Sequence, residues 1–308
     1  MVQEPARTRA LGLISEEVLA HVPGFTVDGT AWATRLPGGT MNASFMVETG
    51  AGRFVVRIQN EAAAALGADH EREASLHAVA AAAGLAPGLI HVGGGLADRL
   101  RAGESGATSR PRFMVMEHVG DNVWSVEDMA RPERLRQLGA ALHHLHSVAP
   151  PSVAPFDIGA SIERLHERLY AALPDEAAHL SQLMDRARAT LLASGSAQRP
   201  KTVIHNDLHH TNLIGGPRLW LVDWEYAAVT DPLLDLACVL AYYPRAAAHT
   251  DALLDSSRLA ALASPEMLRA ATWLFVLVSY LWYRARRLAG PVSEADLAAE
   301  RELLARLA

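Results

Sequence analysis

The chain has 308 residues, of which 50% are hydrophobic and 20% charged, enough for one large domain or two lobes of an ordinary globular protein. A net charge of −6 argues against a nucleic-acid-binding surface, and the single cysteine, Cys238, excludes both an internal disulfide and a cysteine zinc site. The sequence shows no signal peptide, and its longest uncharged apolar run, residues 273–283, is too short to span a bilayer. We therefore expect a cytoplasmic protein without membrane insertion. No protein partner is implied, and the oligomeric state stays open.

The first part of the chain is rich in predicted strands. After a short helix over residues 12–22, the alternation within residues 31–59 predicts three strands joined by a glycine turn and a tight turn. Residues 69–83 have the apolar period of a helix, closed by Gly84. The segments "GLIHVGGG" and "RFMVMEHV" predict two further strands around a charged loop at residues 98–111.

The pattern changes from strands to helices at about residue 125, and the first of these helices is predicted over residues 131–147. We therefore predict an α+β chain of two lobes. The β-rich lobe takes residues 1–118, the mainly helical lobe takes residues 119–308, and Glu117–Gly120 forms the connector.

Short polar side chains are concentrated in "VIHNDLHHTNLIGGPRLWLVDWEYA", residues 203–227. Two apolar runs around Gly-Gly-Pro predict a hairpin, which would bring Asp223 back beside Asp207 and Asn212. An Asp-x4-Asn pair alone is also typical of turns and helix caps. Together with His205, however, the order of residues matches a kinase signature. In that chemistry a carboxylate accepts the proton of the attacking hydroxyl, while an amide and a second carboxylate hold Mg²⁺ on the phosphates.

These residues resemble the aminoglycoside phosphotransferase and choline kinase superfamily, small-molecule kinases with a protein-kinase-like fold. "HNDLHHTN" and "VDWEYA", with the following "DPLLDLA", are similar to its two C-terminal motifs, and "DWEY" is most similar to the choline/ethanolamine kinase branch. The resemblance covers about residues 30–245. It implies a two-lobed protein-kinase-like fold with ATP and Mg²⁺ as cofactors. Asp207 would be the catalytic base, and Asn212 and Asp223 the metal ligands.

The same resemblance places the nucleotide in the β-rich lobe. The glycine turn "LPGGTMNASF" could cover the ATP phosphates with backbone N–H groups, although it could also be a plain hairpin turn. Its candidate cofactor-binding residues are Gly38, Gly39, Thr40 and Asn42. The segment from Glu117 to Val119 resembles the hinge that binds adenine through its backbone.

Arg57 stands on the third strand of this lobe, where a protein kinase places a lysine. Its guanidinium can bind phosphate through two N–H groups, although a solvated charge on the strand is the alternative. We predict that Glu73 is its ion-pair partner, because Glu73 lies nearer the apolar stripe of its helix than Glu71 does and should face inward.

Several polar residues around the motif are given supporting roles. By resemblance, His205 orients the catalytic loop through a hydrogen bond, and Asp235 supports this loop or the start of the next helix. The histidines of the 131–147 helix are not predicted to bind metal, since only His143 and His146 approach one face.

Two features of the motif argue against a protein substrate. Asn206 precedes the candidate base, where regulated protein kinases have an arginine. Only seven residues separate Asp223 from Asp231-Pro232, which we interpret as the cap and first residue of a helix. This spacing leaves no room for an activation loop, so a small alcohol is the expected acceptor.

Aromatic rings with nearby carboxylates in the C-terminal part suit an ammonium group, which the rings would bind through cation–π attraction. The candidate substrate residues are Glu225, Tyr226, Trp273 and Tyr280. By resemblance Tyr226 contacts a choline head group, whereas Trp273 and Tyr280 share a helix face that could equally be core. We predict an ATP-dependent kinase of an amino alcohol such as choline or ethanolamine. The alternatives are an aminoglycoside or sugar phosphotransferase of the same superfamily and a non-catalytic, nucleotide-binding pseudokinase.

Overall fold

The computed structural model describes residues 8–37, 42–59, 69–94 and 111–308. These residues pack into two compact units. The first unit contains the chain up to Asn122 together with Ile214–Tyr226, and the second contains Val123–Leu213 and Ala227–Ala308. The first unit carries the main β-sheet and the second carries most of the helices, so the predicted α+β fold class is confirmed.

The described part of the first unit is built on an antiparallel sheet with the strand order β1-β2-β3-β4-β6-β5. The strands are, in chain order, β1 (Thr8–Arg9), β2 (Trp32–Arg35), β3 (Asn42–Thr49), β4 (Gly52–Gln59), β5 (Leu89–Gly93) and β6 (Phe113–Glu117). The hairpin of β3 and β4 pairs Asn42 with Gln59 and Thr49 with Gly52. Gly52 has φ 136°, a backbone conformation that favours glycine and permits the tight turn. The five strands predicted between residues 31 and 119 are thus present.

A short helix, α1 (Glu16–Leu19), packs on the sheet and buries Val18 and Leu19 against Val47, Val56 and Val115. The predicted helix over residues 12–22 is wrong in extent. A 3₁₀ turn at Ala10–Gly12 precedes α1, and Ser15 between them is extended, with φ −64° and ψ 149°. An extended residue breaks the i→i−4 hydrogen-bond pattern, so the two pieces cannot join.

Helix α2 (His70–Ala82) confirms the helix predicted over residues 69–83. It begins where the Asp69 carboxylate accepts the N–H groups of Glu71 and Arg72, both at 3.1 Å. Glu73 is 3% exposed, whereas Glu71 is exposed to solvent. The helix therefore directs Glu73 into the first unit, as the apolar stripe predicts.

The predicted hairpin after the polar motif is also present, as β8 (Leu213–Ile214) and β9 (Trp220–Leu221). The N–H of Leu221 donates to the carbonyl of Leu85 at 2.8 Å, which ties β9 to the segment that follows α2. All of this hairpin except Leu213 belongs to the first unit.

The second unit is a packed set of helices. In chain order these are α3 (Pro132–His146), α4 (Ile158–Ala172), α5 (Ala177–Ser194), α6 (Leu233–Tyr242), α7 (Thr250–Ser257), α8 (Pro265–Ala289) and α9 (Glu294–Leu307). Helix α8 packs against α4, α5, α6 and α9, with Leu274, Leu277 and Leu281 buried along one face. Within the described part of the chain, no helix combines the length and the hydropathy that a membrane crossing requires.

Two strands of the second unit frame the polar motif. Strand β7 (Thr202–Ile204) pairs antiparallel with β10 (Ala228–Thr230) and leads directly into His205. Helix α6 follows β10 and begins at Leu233, one residue later than predicted. Pro232 stands at the cap position, and Asp231 accepts the N–H of Leu233 at 3.0 Å. The carboxylate of Asp231 is also bound by Nε and Nη2 of Arg199, at 2.8 and 2.6 Å, which fixes the start of the helix.

Candidate active site

The loop from His205 to Asn212 carries the candidate base and lies in the second unit. Its start is fixed by the Asp235 carboxylate, which has no solvent exposure and accepts the N–H groups of Asn206 at 2.8 Å and His205 at 3.3 Å. The same carboxylate bonds Nε2 of His146 at 2.9 Å. Asp235 therefore supports the loop, as predicted. His146 was missed because no pattern in the sequence suggests another role for it once metal binding is rejected.

His205 is fully buried, and its Nδ1 accepts the N–H of Asp207 at 3.3 Å. This hydrogen bond confirms that His205 orients the loop. Within the described residues, no group of three or more His, Cys, Asp or Glu side chains could hold a metal ion.

The two predicted polar residues of this loop contact each other directly. Nδ2 of Asn212 donates to Oδ2 of Asp207 at 3.0 Å and to the Asp207 carbonyl at 3.0 Å. Oδ1 of Asp207 accepts the hydroxyl of Tyr242 at 3.2 Å. Because the amide nitrogen of Asn212 faces Asp207, its amide oxygen is the atom that can serve as a cation ligand.

A second polar cluster lies in the first unit around Arg57 on β4. Nη1 of Arg57 donates to the Glu73 carboxylate, which confirms the predicted ion pair. Nη2 lies 2.8 Å from Oδ1 of Asp223 and 2.8 Å from Oε2 of Glu225. Asn42, at the start of β3, donates through Nδ2 to the same oxygen of Glu225 at 2.5 Å. Four of the predicted site residues are thus gathered around one guanidinium.

The charges of this cluster perturb one another. Burial alone lowers the pKa of Arg57, but the carboxylates of Asp223, Glu73 and Glu225 outweigh it and hold the pKa above its ordinary value. Burial and the nearby charge of Asp223 together raise the pKa of Glu73 to about 7, against the opposing effect of Arg57. Three carboxylates share one guanidinium, so the cluster carries a surplus of negative charge.

Both clusters contain a residue in the left-handed backbone region. Asn206 has φ 62° and Asp223 has φ 67°, and Arg258 is the only other described non-glycine residue with a positive φ. Asn and Asp tolerate this conformation better than most residues, yet it still carries strain. Strained backbone of this kind is concentrated at functional sites, which supports a functional role for both segments.

The remaining predicted cofactor-binding residues are Gly38, Gly39, Thr40, Glu117 and Val119. Gly38, Gly39 and Thr40 are outside the described residues. Glu117 ends β6, where its N–H donates to the Gly88 carbonyl at 3.0 Å and its carboxylate accepts the Gly88 N–H at 3.2 Å. Val119 is half-buried. The N–H of Glu117 is therefore used by the sheet, and the adenine prediction rests on the other backbone groups of residues 117–119.

The predicted substrate residues are divided between the two units. Tyr226 is half-buried and follows Glu225 in the first unit. In the second unit Tyr280 is 1% exposed within the packing of α8. The ring of Trp273 is covered by Arg186, whose guanidinium carbon lies 4.5 Å from the ring centroid.

Two tyrosines that contact the loop carrying Asp207 were not given a role from the sequence. Tyr242 contacts Asp207, and the next residue, Tyr243, accepts the N–H of His210 at 2.8 Å through its hydroxyl. Burial lowers the pKa of His209 to about 4, so this ring is neutral at pH 7. A signal was present, because Tyr242 lies seven residues after Asp235, two helical turns along one face.

The polar motif and the sheet preceding it fall within a recognised family. A family model described as the phosphotransferase enzyme family matches residues 32–274. The chain belongs to this family. A comparison of this phosphotransferase with curated proteins found no match.

Solved structures named as kinases or phosphotransferases share the fold of this phosphotransferase. The choline kinase LicA from Streptococcus pneumoniae superposes with a TM-score of 0.73 at 15% identity, over 97% of this chain and 99% of that chain. A choline/ethanolamine kinase family protein from Mesorhizobium loti gives 0.65 at 23% identity, over 89% and 86%. A spectinomycin phosphotransferase in complex with ADP and spectinomycin gives 0.58 at 12% identity, over 88% of each chain. The family match confirms the predicted resemblance, and these structures confirm the protein-kinase-like fold.

Proposed function

We propose that this phosphotransferase moves the terminal phosphate of ATP to the hydroxyl of a small amino alcohol such as choline or ethanolamine. The proposal rests on the Asp207 carboxylate. Asn212 donates a hydrogen bond to this carboxylate, and Asp235 fixes the start of the loop that carries it. A carboxylate restrained in this way is suited to accept the proton of an attacking hydroxyl.

The other polar residues would act by positioning and by charge. Most of the acceleration of phosphoryl transfer comes from orientation and from stabilising the charge on the phosphate oxygens. Arg57, oriented by Glu73, would bind the phosphates, together with Asn42 and the glycine turn. The backbone of residues 117–119 would bind adenine. In this proposal residues 1–118 form the nucleotide-binding lobe and residues 119–308 the catalytic and substrate-binding lobe of a cytoplasmic enzyme.

Mg²⁺ fits the donor atoms that the two clusters provide. The amide oxygen of Asn212 and the carboxylate of Asp223 are hard oxygen ligands, which this ion prefers. These two residues would hold it, and the bound ion would neutralise charge on the phosphates. Because two protein ligands alone make a weak magnesium site, metal binding should depend on the nucleotide.

The choice of acceptor rests on resemblance and on the names of structural neighbours. In "DWEY" Tyr226 follows Glu225, whose carboxylate is bound by Arg57 and Asn42, so the ring of Tyr226 is the group that would contact an ammonium group. Neighbours named as choline or ethanolamine kinases support this acceptor. The spectinomycin phosphotransferase supports the second candidate, an antibiotic acceptor.

The proposal is tested with a panel of choline, ethanolamine, aminoglycosides and sugars, incubated with ATP and Mg²⁺ and assayed by ADP release. Asp207→Asn keeps the shape of the side chain but removes the proton acceptor, so turnover should fall at least about a hundredfold. Calorimetry should show that this variant still binds ATP. Asp185→Asn is the matched control, because that carboxylate is 78% exposed on α5.

Each outcome has a definite meaning. Near-normal turnover of Asp207→Asn would refute the mechanism. Transfer to an aminoglycoside and to no amino alcohol would replace the acceptor while keeping the enzyme class. Absence of nucleotide binding in the presence of Mg²⁺ would refute the whole proposal.

A further inference from the structure

Two consecutive tyrosines at the end of α6 contact the loop that carries the candidate base. The hydroxyl of Tyr242 donates to Oδ1 of Asp207 at 3.2 Å. The hydroxyl of Tyr243 bonds His210, at 2.8 Å from its N–H and 2.7 Å from Nδ1. The helix end thus contacts the loop at two points, and only the first of them involves the carboxylate.

The ring of Tyr242 is held by other rings on several sides. It meets Phe275 edge-on at a centroid distance of 5.8 Å and 88°, and His209 at 5.8 Å and 82°. Tyr243 adds a third contact at 6.4 Å and 78°. Edge-to-face packing of this kind fixes the orientation of an aromatic ring. The hydroxyl therefore has a defined position, set by the packing of the ring as well as by its hydrogen bond.

Helix α6 joins the two supports of the base. Asp235 in its first turn fixes the backbone at the start of the loop, and Tyr242 at its end reaches the Asp207 side chain. Tyr242 lies seven positions after Asp235, about two turns along the helix, so both side chains project from one face of a rigid element. Backbone and carboxylate are consequently positioned by the same helix.

We propose that Tyr242 is a positioning residue for Asp207. Its hydroxyl holds Oδ1 while Asn212 holds Oδ2, and the two contacts together set the rotation of the carboxylate about its Cβ–Cγ bond. Without the Tyr242 hydroxyl, the carboxylate would present the correct oxygen to the acceptor in a smaller fraction of the molecules. The inference rests on the proposed function, in which Asp207 is the base, and it assigns no proton transfer to Tyr242.

The test is Tyr242→Phe, which removes the hydroxyl and keeps the ring contacts. With the acceptor that the panel identifies, kcat should fall about tenfold, the scale of one hydrogen bond to a charged group. KM for ATP should change less than about twofold, because the hydroxyl contacts the base and not the nucleotide. In an Asp207→Asn background, Tyr242→Phe should cause no further loss of the residual turnover, measured with radiolabelled ATP.

Tyr243→Phe is the matched comparison, since it removes a hydroxyl from the same helix end. That hydroxyl contacts His210, so any loss it causes should persist in the Asp207→Asn background. Full kcat in Tyr242→Phe, or an equal loss with and without the Asp207 carboxylate, would overturn the inference.

If the wild-type protein phosphorylates no alcohol in the panel, the proposed function has failed, and the inference is decided by crystal structures of wild type and Tyr242→Phe. A rotated or disordered Asp207 carboxylate in the variant supports it, and an unchanged carboxylate overturns it.

Discussion

Replacing Asp235 by alanine measures how much folding free energy supports the candidate base. The carboxylate is fully buried and satisfies three donors, the N–H groups of His205 and Asn206 and the Nε2 of His146. A buried donor left without an acceptor costs about 1–3 kcal/mol, and breaking a buried charged network costs about 3–5 kcal/mol. Because water can enter beside the shortened side chain, we expect the free energy of unfolding to fall by about 3–5 kcal/mol rather than by the sum of the costs of the three donors.

The assay is urea unfolding followed by circular dichroism, with the transition of the second unit fitted separately if two steps are seen. Asp185→Ala is the control, because its partner Arg188 is 62% exposed and such surface pairs contribute about 0–1 kcal/mol. Asp235→Asn should lie between the two, since one amide oxygen can still accept. A loss below about 1 kcal/mol in Asp235→Ala would refute the view that this carboxylate holds the loop.

Three further outcomes are expected. The pKa of Glu73 is raised from its ordinary value of 4.5 to about 7. Its contribution to the free energy of unfolding is therefore complete below pH 4.5 and is lost as the pH rises to about 7. Glu73→Gln should remove this contribution, which is up to about 3 kcal/mol of the difference in the free energy of unfolding between pH 5 and pH 8. Urea titrations at the two pH values measure it. Asparagine tolerates the φ of 67° found at residue 223, and Asp223→Asn should abolish phosphoryl transfer. Glu225→Gln should only weaken phosphoryl transfer. Equal and modest losses in the two variants would contradict these roles. Tyr226→Ala should raise KM for the amino alcohol much more than KM for ATP in steady-state kinetics, and equal changes would argue against contact with the acceptor.

Local patterns in the sequence predicted the elements that hold the site. Alternating apolar residues predicted β3 and β4 and so placed Arg57 on a strand. The helical stripe of α2 separated the buried Glu73 from the exposed Glu71. Both inferences succeed because strand and helix periods determine which side chains face inward.

Contacts between distant parts of the chain could not be predicted in this way. His146 meets Asp235 across 89 residues of sequence, and no periodicity links them. The aromatic stripe of α8 led to the prediction that Trp273 and Tyr280 contact the substrate. A helical period cannot distinguish a ring that packs inside from one that faces a ligand. Tyr242 was left unassigned for the converse reason, since only the folded chain shows that its hydroxyl reaches Asp207.

The division of the chain into units has a consequence for its biosynthesis. Residues 214–226 complete the first unit, yet residues 123–213, which belong to the second, are translated before them. At about 5–20 residues per second, the ribosome takes roughly 5–20 s to pass from residue 122 to residue 226. During that interval the nascent sheet has Glu73 but neither Asp223 nor Glu225 to neutralise Arg57. The first unit therefore cannot finish folding while only its N-terminal part has left the ribosome, and the cluster around Arg57 is complete only after residue 225 has been made.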